Sequence, residues 1–293
     1  EGLAKALDLD FTHHTVETNR FWKLIPPKLT PISQSVFKKI NSEDFDVIIS
    51  CGRKSVIPSI YLKKNSSKKV VNIHIQDPKI NLDNFSYVIA PEHDGLNGKN
   101  VFSTKGAIHY LTKKEINNHT DYLKDRLNTN KNYFLLILGG PTKHYDYSNE
   151  NISNILNLFD DLIKNNNLQG IVIPSMRTPK NIIELSKSKL STNSLIIDSI
   201  DKKAYLSALS LAKFIAVTCD SISMISEAAI TGKPIYVADI PPKKDDNRIK
   251  NFREVFTQLN IIKKLDTKLD TWSYESLDET NRVANIIKQK INF

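Results

Sequence analysis

The chain has 293 residues, 40% of them hydrophobic, and 41 Lys and Arg against 32 Asp and Glu give it a formal charge of +9. This length suits two domains, each with its own core, and no apolar run approaches the ~20 residues of a membrane span. The basic balance favours anionic partners such as phosphate esters or anionic lipid. Lys and Asn are spread along the whole chain, without an arginine-rich tail or an aromatic-interleaved basic stretch, so nucleic acid is not singled out. Cys51 and Cys219 stand far apart without ligand spacing, which fits a reducing, cytoplasmic setting and no disulfide framework. The seven His form no HExxH-like pattern, so no metal site is read.

The chain opens on Glu1, and Gly2 to Leu7 resembles the back half of an amphipathic helix running to about residue 9. An upstream strand and turn are therefore expected to be missing, and no signal peptide is read. A strand is placed near Thr12 to Val16. Phe21 to Leu29 mixes bulky apolar residues with Lys and two Pro, too Pro-rich for a helix. It reads as a loop packed on the domain edge or as a peripheral membrane contact. Strands follow at Asp46–Ser50, Val70–Ile75, Tyr87–Ala90 and Asn100–Ser103. Their ends carry the turns Cys51-Gly52-Arg53-Lys54, Gln76-Asp77-Pro78 and Pro91 to Gly95, with His93 and Asp94. The first turn starts a helix to about Lys64, a place that suits an anion. In a parallel sheet such turns share one edge. Helical spacing runs from Lys113 to about Leu127, and Asn128 to Asn132 reads as the interdomain linker.

The second half repeats the alternation. Tyr133–Leu138 is a buried strand ending in Gly139-Gly140-Pro141, with Lys143 just beyond. A helix is predicted over Asn149–Asn165, then a strand Gly170–Pro174 tipped by Ser175-Met176-Arg177-Thr178-Pro179, where Thr178 is placed to cap a helix starting at Pro179. Leu195–Ile197 is a strand and Lys202–Leu211 a helix. Phe214–Val217 is the next buried strand, and Asp220 or Ser221 caps the helix after it. Ser221, Ser223, Ser226, Ala228 and Ala229 let that helix lie close to a sheet or ligand. Met224 lies in its first turn, Glu227 about two turns in, and Gly232-Lys233-Pro234 leads to the strand Ile235–Ala238. Helix N-termini just past strand ends hold phosphates in open α/β sheets. The plainer alternative is one more βαβ unit with Glu227 on a solvated face. A loop over Pro241–Asn247 precedes helices at Arg248–Leu259 and Leu277–Ile291.

The expected fold is α/β, with two Rossmann-like domains facing a cleft. The divisions read are residues 1–127, residues 128–275, and a closing helix in 276–293 placed to cross back to the first domain.

The motifs Cys51-Gly-Arg-Lys-Ser55, Ile75-Gln-Asp-Pro78, Ala90-Pro-Glu-His-Asp-Gly95, Gly106-Ala-Ile-His109, Gly139-Gly-Pro141, Ser175-Met-Arg-Thr-Pro179 and Asp220 to Glu227 with Gly232-Lys-Pro234 occur in this order. Together they resemble, over almost the whole chain, the bacterial and plant family named after the plant "elongated mitochondria" fission factor. Its members look like GT-B glycosyltransferases. The family's Gly-containing turn after its first strand has no counterpart here, and Met176 stands where a second Arg is usual. The 212–237 segment is also similar to the donor-binding segment of the peptidoglycan GlcNAc transferase. That similarity implies that Glu227 binds the donor ribose and that Gly139 and Gly140 face its diphosphate.

The resemblance implies a nucleotide-sugar co-substrate and no bound cofactor or metal. Ser175, Arg177, Lys143 and the Ser221 amides would then stabilise the leaving diphosphate. A general base would come from the first domain, His93 or Asp94, with Asp77 second. Cys51, Gly52, Arg53, Gln76 and Asp77 would serve an acceptor or phosphate, though Arg53 equally suits capping of loop carbonyls. Asp44-Phe45-Asp46 mimics a DxD metal motif but precedes its strand, at the wrong sheet edge. The leading function is transfer of a sugar to an envelope or lipid-linked glycan at the inner membrane face. A GT-B-shaped recruiting adaptor and a nucleotide-sugar epimerase or hydrolase are the competing readings.

Overall fold

The computed structural model describes residues 1–40 and 45–291, so Asp44 of the DxD-like triplet lies outside the described residues. The chain divides into two compact units, Glu1–Tyr110 with Glu279–Phe293, and Leu111–Asp278. The fold is α/β, built on two parallel sheets.

The first unit holds β1 (Val47–Cys51), β2 (Val71–Ile75), β3 (Tyr87–Pro91) and β4 (Val101–Thr104), paired in chain order and all parallel. α1 (Gly2–Ala6) and the closing helix α9 (Glu279–Lys290) join it, and α2 (Val56–Lys64) follows β1. Leu3 and Leu7 pack with Ile73, Ile89, Val283, Ala284 and Ile287 in one apolar cluster. The buried Glu279 carboxylate fixes the start of α9, accepting from the Lys105 N–H (2.7 Å) and from Arg282. Thr280 exchanges hydrogen bonds with the backbone of His109.

The second unit adds β5 (Asn132–Leu138), β6 (Leu168–Pro174), β7 (Leu195–Ile196), β8 (Ala212–Thr218), β9 (Ile235–Ala238) and β10 (Ile262–Lys264). Its helices are α3 (Lys113–Asn117), α4 (Asn149–Asn165), α5 (Lys180–Lys189), α6 (Lys202–Leu211), α7 (Ile222–Ala229) and α8 (Asn247–Gln258). The strand order is β10-β9-β8-β5-β6-β7, every pair parallel. β5 lies inside the sheet, and Phe134 to Leu138 are all buried, as a strand covered on both faces requires. α4 buries Ile152, Ile155, Leu156, Phe159, Leu162 and Ile163, a stripe at helical spacing, and Ser148 caps it by accepting from the Asn151 N–H.

Several expectations are corrected. No strand forms over Thr12–Val16; Phe11 to Thr15 are exposed, and only an isolated antiparallel bridge, Thr18 to Phe37, follows. The helix expected over 113–127 is α3 and then a 3-10 segment, Thr120–Arg126. That segment is bound to α6: the Ser207 hydroxyl accepts from the Leu123 N–H (3.1 Å) and donates to the Thr120 carbonyl (3.0 Å). The units therefore divide after Tyr110, where the sequence placed the boundary at 127/128. β10 was not anticipated, being only three residues beside Ile261.

His74 faces the interior of the first sheet, fully buried, its Nδ1 2.8 Å from the Ser50 hydroxyl. Burial pushes its pKa from 6.5 down to about 4, with Asp77 pulling weakly the other way. An unfolded chain takes up that proton near 6.5, the folded chain only near 4. Stability from this group is complete above about pH 6.5 and is lost as pH falls through that window, about 3 kcal/mol in all. Urea unfolding at pH 7 and pH 4.5 will show this loss, and His74→Gln will flatten it.

Candidate functional site

From β5 the chain moves outward through β6 and β7, then returns to build β8, β9 and β10 on the other side. The order reverses between β5 and β8, and ligands of open α/β sheets bind outside strand ends at such a point. The turns there are Gly139-Gly140-Pro141 after β5 and Cys219-Asp220-Ser221 after β8, with Ser175 to Pro179 after the neighbouring β6.

The Asp220 side chain, 0% exposed, ties these turns together. Its Oδ2 accepts from the Gly140 N–H (3.0 Å) and from the Arg177 guanidinium (2.9 Å). Its Oδ1 accepts from the Thr218 hydroxyl (2.7 Å), whose oxygen in turn accepts from the Gly139 N–H (2.8 Å). Arg177 also donates to the Gly140 carbonyl (3.2 Å), while Tyr147 and Thr178 donate to the Gly139 carbonyl (3.2 and 2.6 Å). Burial and the nearby Asp220 charge push the Tyr147 phenol upward, so it stays a donor.

Both glycine N–H groups thus turn inward, toward Thr218 and Asp220. Both amides are thus engaged within the protein. Asp220 itself is not a surface that meets ligand. What the turn permits is close approach. A Cβ on Gly139 would lie 2.2 Å from an Asp220 oxygen, and one on Gly140 2.1 Å from the Arg177 carbonyl oxygen. Neither glycine has positive φ, so contact alone demands them. Arg177 remains 43% exposed and, of its five N–H donors, keeps three beyond the two bonds above. Ser175, half-buried, accepts from the Arg177 N–H in the same turn (3.3 Å), and Lys143, exposed, follows the glycine turn after β5.

Ser221, not Asp220, caps α7, accepting from the Met224 N–H (3.4 Å). Ser223 is exposed and Met224 half-buried in the first turn. Thr178 does not cap a helix starting at Pro179; its hydroxyl is engaged under the glycine turn, and α5 starts at Lys180. Glu227 lies ~9 Å along α7 from Ser221. It is half-buried, and its Oε2 accepts from the Tyr205 hydroxyl (2.8 Å) on α6. Burial raises the Glu227 pKa; the Tyr205 bond opposes the rise.

In the first unit the other expected residues share one edge too. Cys51 ends β1, Gln76 and Asp77 follow β2, and His93 and Asp94 follow β3. Gly52 takes φ +78°, a turn only glycine adopts freely. Gln76 is held at φ +81°, costly for a residue with a Cβ, as its N–H bonds the Ile89 carbonyl (2.8 Å). Asp77 is engaged by the N–H and ammonium of Lys79. Arg53 donates to the Ile25 carbonyl (2.8 Å). The His93 side chain is 0% exposed, 3.8 Å from Asp94, so as folded it presents no surface to a substrate. Among the described residues no group of three or more His, Cys, Asp or Glu is placed to hold a metal.

Residues 1–291 match the family model described as mitochondrial fission ELM1. The chain belongs to the mitochondrial fission ELM1 family. A Rickettsia prowazekii protein called uncharacterized protein RP120 is 28% identical, over 83% of this chain and 79% of that one. The mitochondrial fission protein ELM1 of Arabidopsis thaliana is 22% identical, over 84% of this chain and 64% of that one, so the chain spans under two thirds of the plant protein. Among solved structures, the UDP-GlcNAc 2-epimerase of Neisseria meningitidis bound to UDP-GlcNAc is similar at TM-score 0.48 and 15% identity, covering 84% of this chain and 76% of that one. A score below 0.5 says nothing of shared chemistry.

In this ELM1-family chain the residues that sequence reading missed are Thr218, Tyr147 and Tyr205. Thr218 was legible in principle: alternate residues of an extended strand end face the same way, so Thr218 and Asp220 address one partner. Nothing local marks the two tyrosines.

Gly140→Ala forces a Cβ onto backbone and is expected to cost about 2–3 kcal/mol. Asp220→Ala strands one N–H, one hydroxyl and one guanidinium and is expected to cost about 3 kcal/mol. Urea unfolding of each variant measures both.

Proposed function

We propose that the second unit binds a nucleotide-sugar and that this ELM1-family protein is a metal-independent glycosyltransferase. The observation that carries the reading is the assembly at the strand-order reversal: an exposed guanidinium, a Ser-capped helix start and a carboxylate ~9 Å along the same helix. We read that rise as spanned by a diphosphate and the ribose joined to it. The first-turn N–H groups of α7 point out of the helix and, with Arg177, suit the phosphates. Lys143 and Ser175 are the next polar groups in the neighbouring turns. The Glu227 carboxylate, held by Tyr205, is an acceptor for ribose hydroxyls.

In the transfer, an acceptor hydroxyl oxygen bonds the sugar's anomeric carbon while the bond from that carbon to the diphosphate oxygen breaks. The electron pair leaves with the nucleoside diphosphate, and the hydroxyl proton goes to a base. Stabilising the departing charge is the work of Arg177 and the helix start. Arg177 is preorganised for it, its plane fixed by Asp220 and Gly140. Asp94 and Asp77 are the proposed bases, since His93 would first have to gain access to solvent. The acceptor proposed is a lipid-linked or envelope glycan.

One observation favours the adaptor reading instead. Arg177 and Glu227 both have internal partners, which a purely structural role also explains. Calorimetric titration with UDP-, GDP-, ADP- and CMP-sugars separates the two. The enzyme reading expects one donor to bind, with Glu227→Gln and Arg177→Lys each weakening it about tenfold, about 1.4 kcal/mol. A folded protein that binds none of them overturns the enzyme reading, and partner capture that survives Glu227→Ala and Arg177→Ala favours the adaptor. Release of product from donor alone, without acceptor, selects the epimerase or hydrolase.

Donor binding is also expected to weaken as pH falls and Glu227 takes up its proton. Because the Tyr205 hydroxyl favours the charged carboxylate, Tyr205→Phe moves that loss to higher pH. A titration of affinity against pH in both proteins checks the sign.

A further inference from the structure

The segment 20–29 of the first unit is ordered yet carries three large apolar side chains in water: Phe21 (69% exposed), Leu24 (86%) and Leu29 (71%). It is not loose chain. Short 3-10 turns form at Arg20–Lys23 and Pro27–Leu29. The Asn19 N–H bonds the Val36 carbonyl (2.9 Å), Thr30 bonds the Pro26 carbonyl (2.9 Å), and Arg53 bonds that of Ile25 (2.8 Å). Trp22 packs on the cluster of Val36, Phe37, Val56 and Ile60, so this aromatic supports the segment from behind. Isolated exposed apolar residues need no explanation, but three on one rigid nine-residue stretch do.

The charge around them is mostly positive, the exception being Glu17, which pairs with Lys38 and lies close enough to Lys23 to interact with it. Arg20, Lys23 and Lys28 are exposed within the same stretch, and Arg53 and Lys54 are exposed beside it. No Asp or Glu occurs from Thr18 to Ile40 or from Cys51 to Lys64. Among the described residues, none of these five cations is in an ion pair. Behind the stretch a pocket of about 440 Å³ is lined by Trp22, Lys23, Ile25, Arg53, Lys54 and Ile57, among others. Its lining is largely apolar and includes the three cationic residues Lys23, Arg53 and Lys54, a combination that suits an anionic head on a greasy body.

We infer that residues 20–29 dock the first unit onto an anionic phospholipid bilayer, with Phe21, Leu24 and Leu29 entering the interface and the pocket taking a lipid phosphate headgroup. Apolar side chains flanked by cations have this partition preference. The cations supply attraction that neutral lipid cannot, about fivefold in affinity for each one near the surface. The docking surface stands whether or not the second unit transfers a sugar.

Flotation with phosphatidylcholine vesicles, with and without about 30 mol% phosphatidylglycerol, tests it on the whole chain. The protein is expected to float with anionic vesicles, to stay behind with neutral ones, and to be released by salt. Phe21→Ser with Leu24→Ser and Leu29→Ser, and separately Lys23→Glu with Lys28→Glu, should each lower binding at least tenfold at an unchanged melting temperature. Leu24→Ser alone, at a side chain with almost no contacts to lose, guards against a folding defect and should still weaken binding severalfold. Wild-type protein that never floats overturns the inference. So does a serine variant that floats like wild type. Saturable binding of glycerol 3-phosphate without vesicle binding overturns it too, and makes the pocket a site for a soluble phosphate ester.

Discussion

One buried carboxylate sets the geometry of the second unit's site. Asp220 accepts from a glycine amide, a threonine hydroxyl and a guanidinium, and those three donors come from three different strand ends. An ionised group without these partners could not stay there, because desolvation outweighs anything a dry core offers it. With them, it fixes how far β5, β6 and β8 project and where the Arg177 plane lies. The glycines at 139 and 140 follow from the same demand, since the carboxylate and the Arg177 backbone come too close for any Cβ. α7 starts two residues after Asp220, at Ile222.

The sheet supplies the position and the Asp220 hydrogen bonds supply the stiffness. Reversal of strand order opens space between β5 and β8 without any sequence signal dedicated to it. α7 then carries two groups on one rod: amides at its start and a carboxylate nearly two turns further on. Tyr205, reaching from α6, donates to that carboxylate and partly offsets the pull of burial on it.

Much of this was legible in the residues. Apolar runs such as Phe134–Leu138 and Phe214–Val217 announce strands covered on both faces, and the spacing of Ile152 to Ile163 announces α4. Where short-range pattern is weak, the reading failed. Thr12–Val16 has the composition of a strand but no partner edge, and the 113–127 pattern breaks because Ser207 claims the backbone of Thr120 and Leu123. The motif turns do gather at one sheet edge, but the partners of each side chain there were not legible. Asp220 and Ser221 are both good caps on paper, and only the position of Arg177 and Gly140 decides which one is needed elsewhere. Glycine amides look free in a sequence because their partners, Thr218 and Asp220, lie some eighty residues downstream.

The path of the chain has a temporal consequence. α9, which closes the cluster of Leu3, Leu7, Ile73 and Ile89, comes after every strand of the second unit. On a ribosome the later unit has all its strands and helices once Asp278 emerges, while the earlier one still lacks a wall of its core. Synthesis thus reverses the usual N-terminal-first order, and the faces of β2 and β3 that α9 covers must wait for that helix.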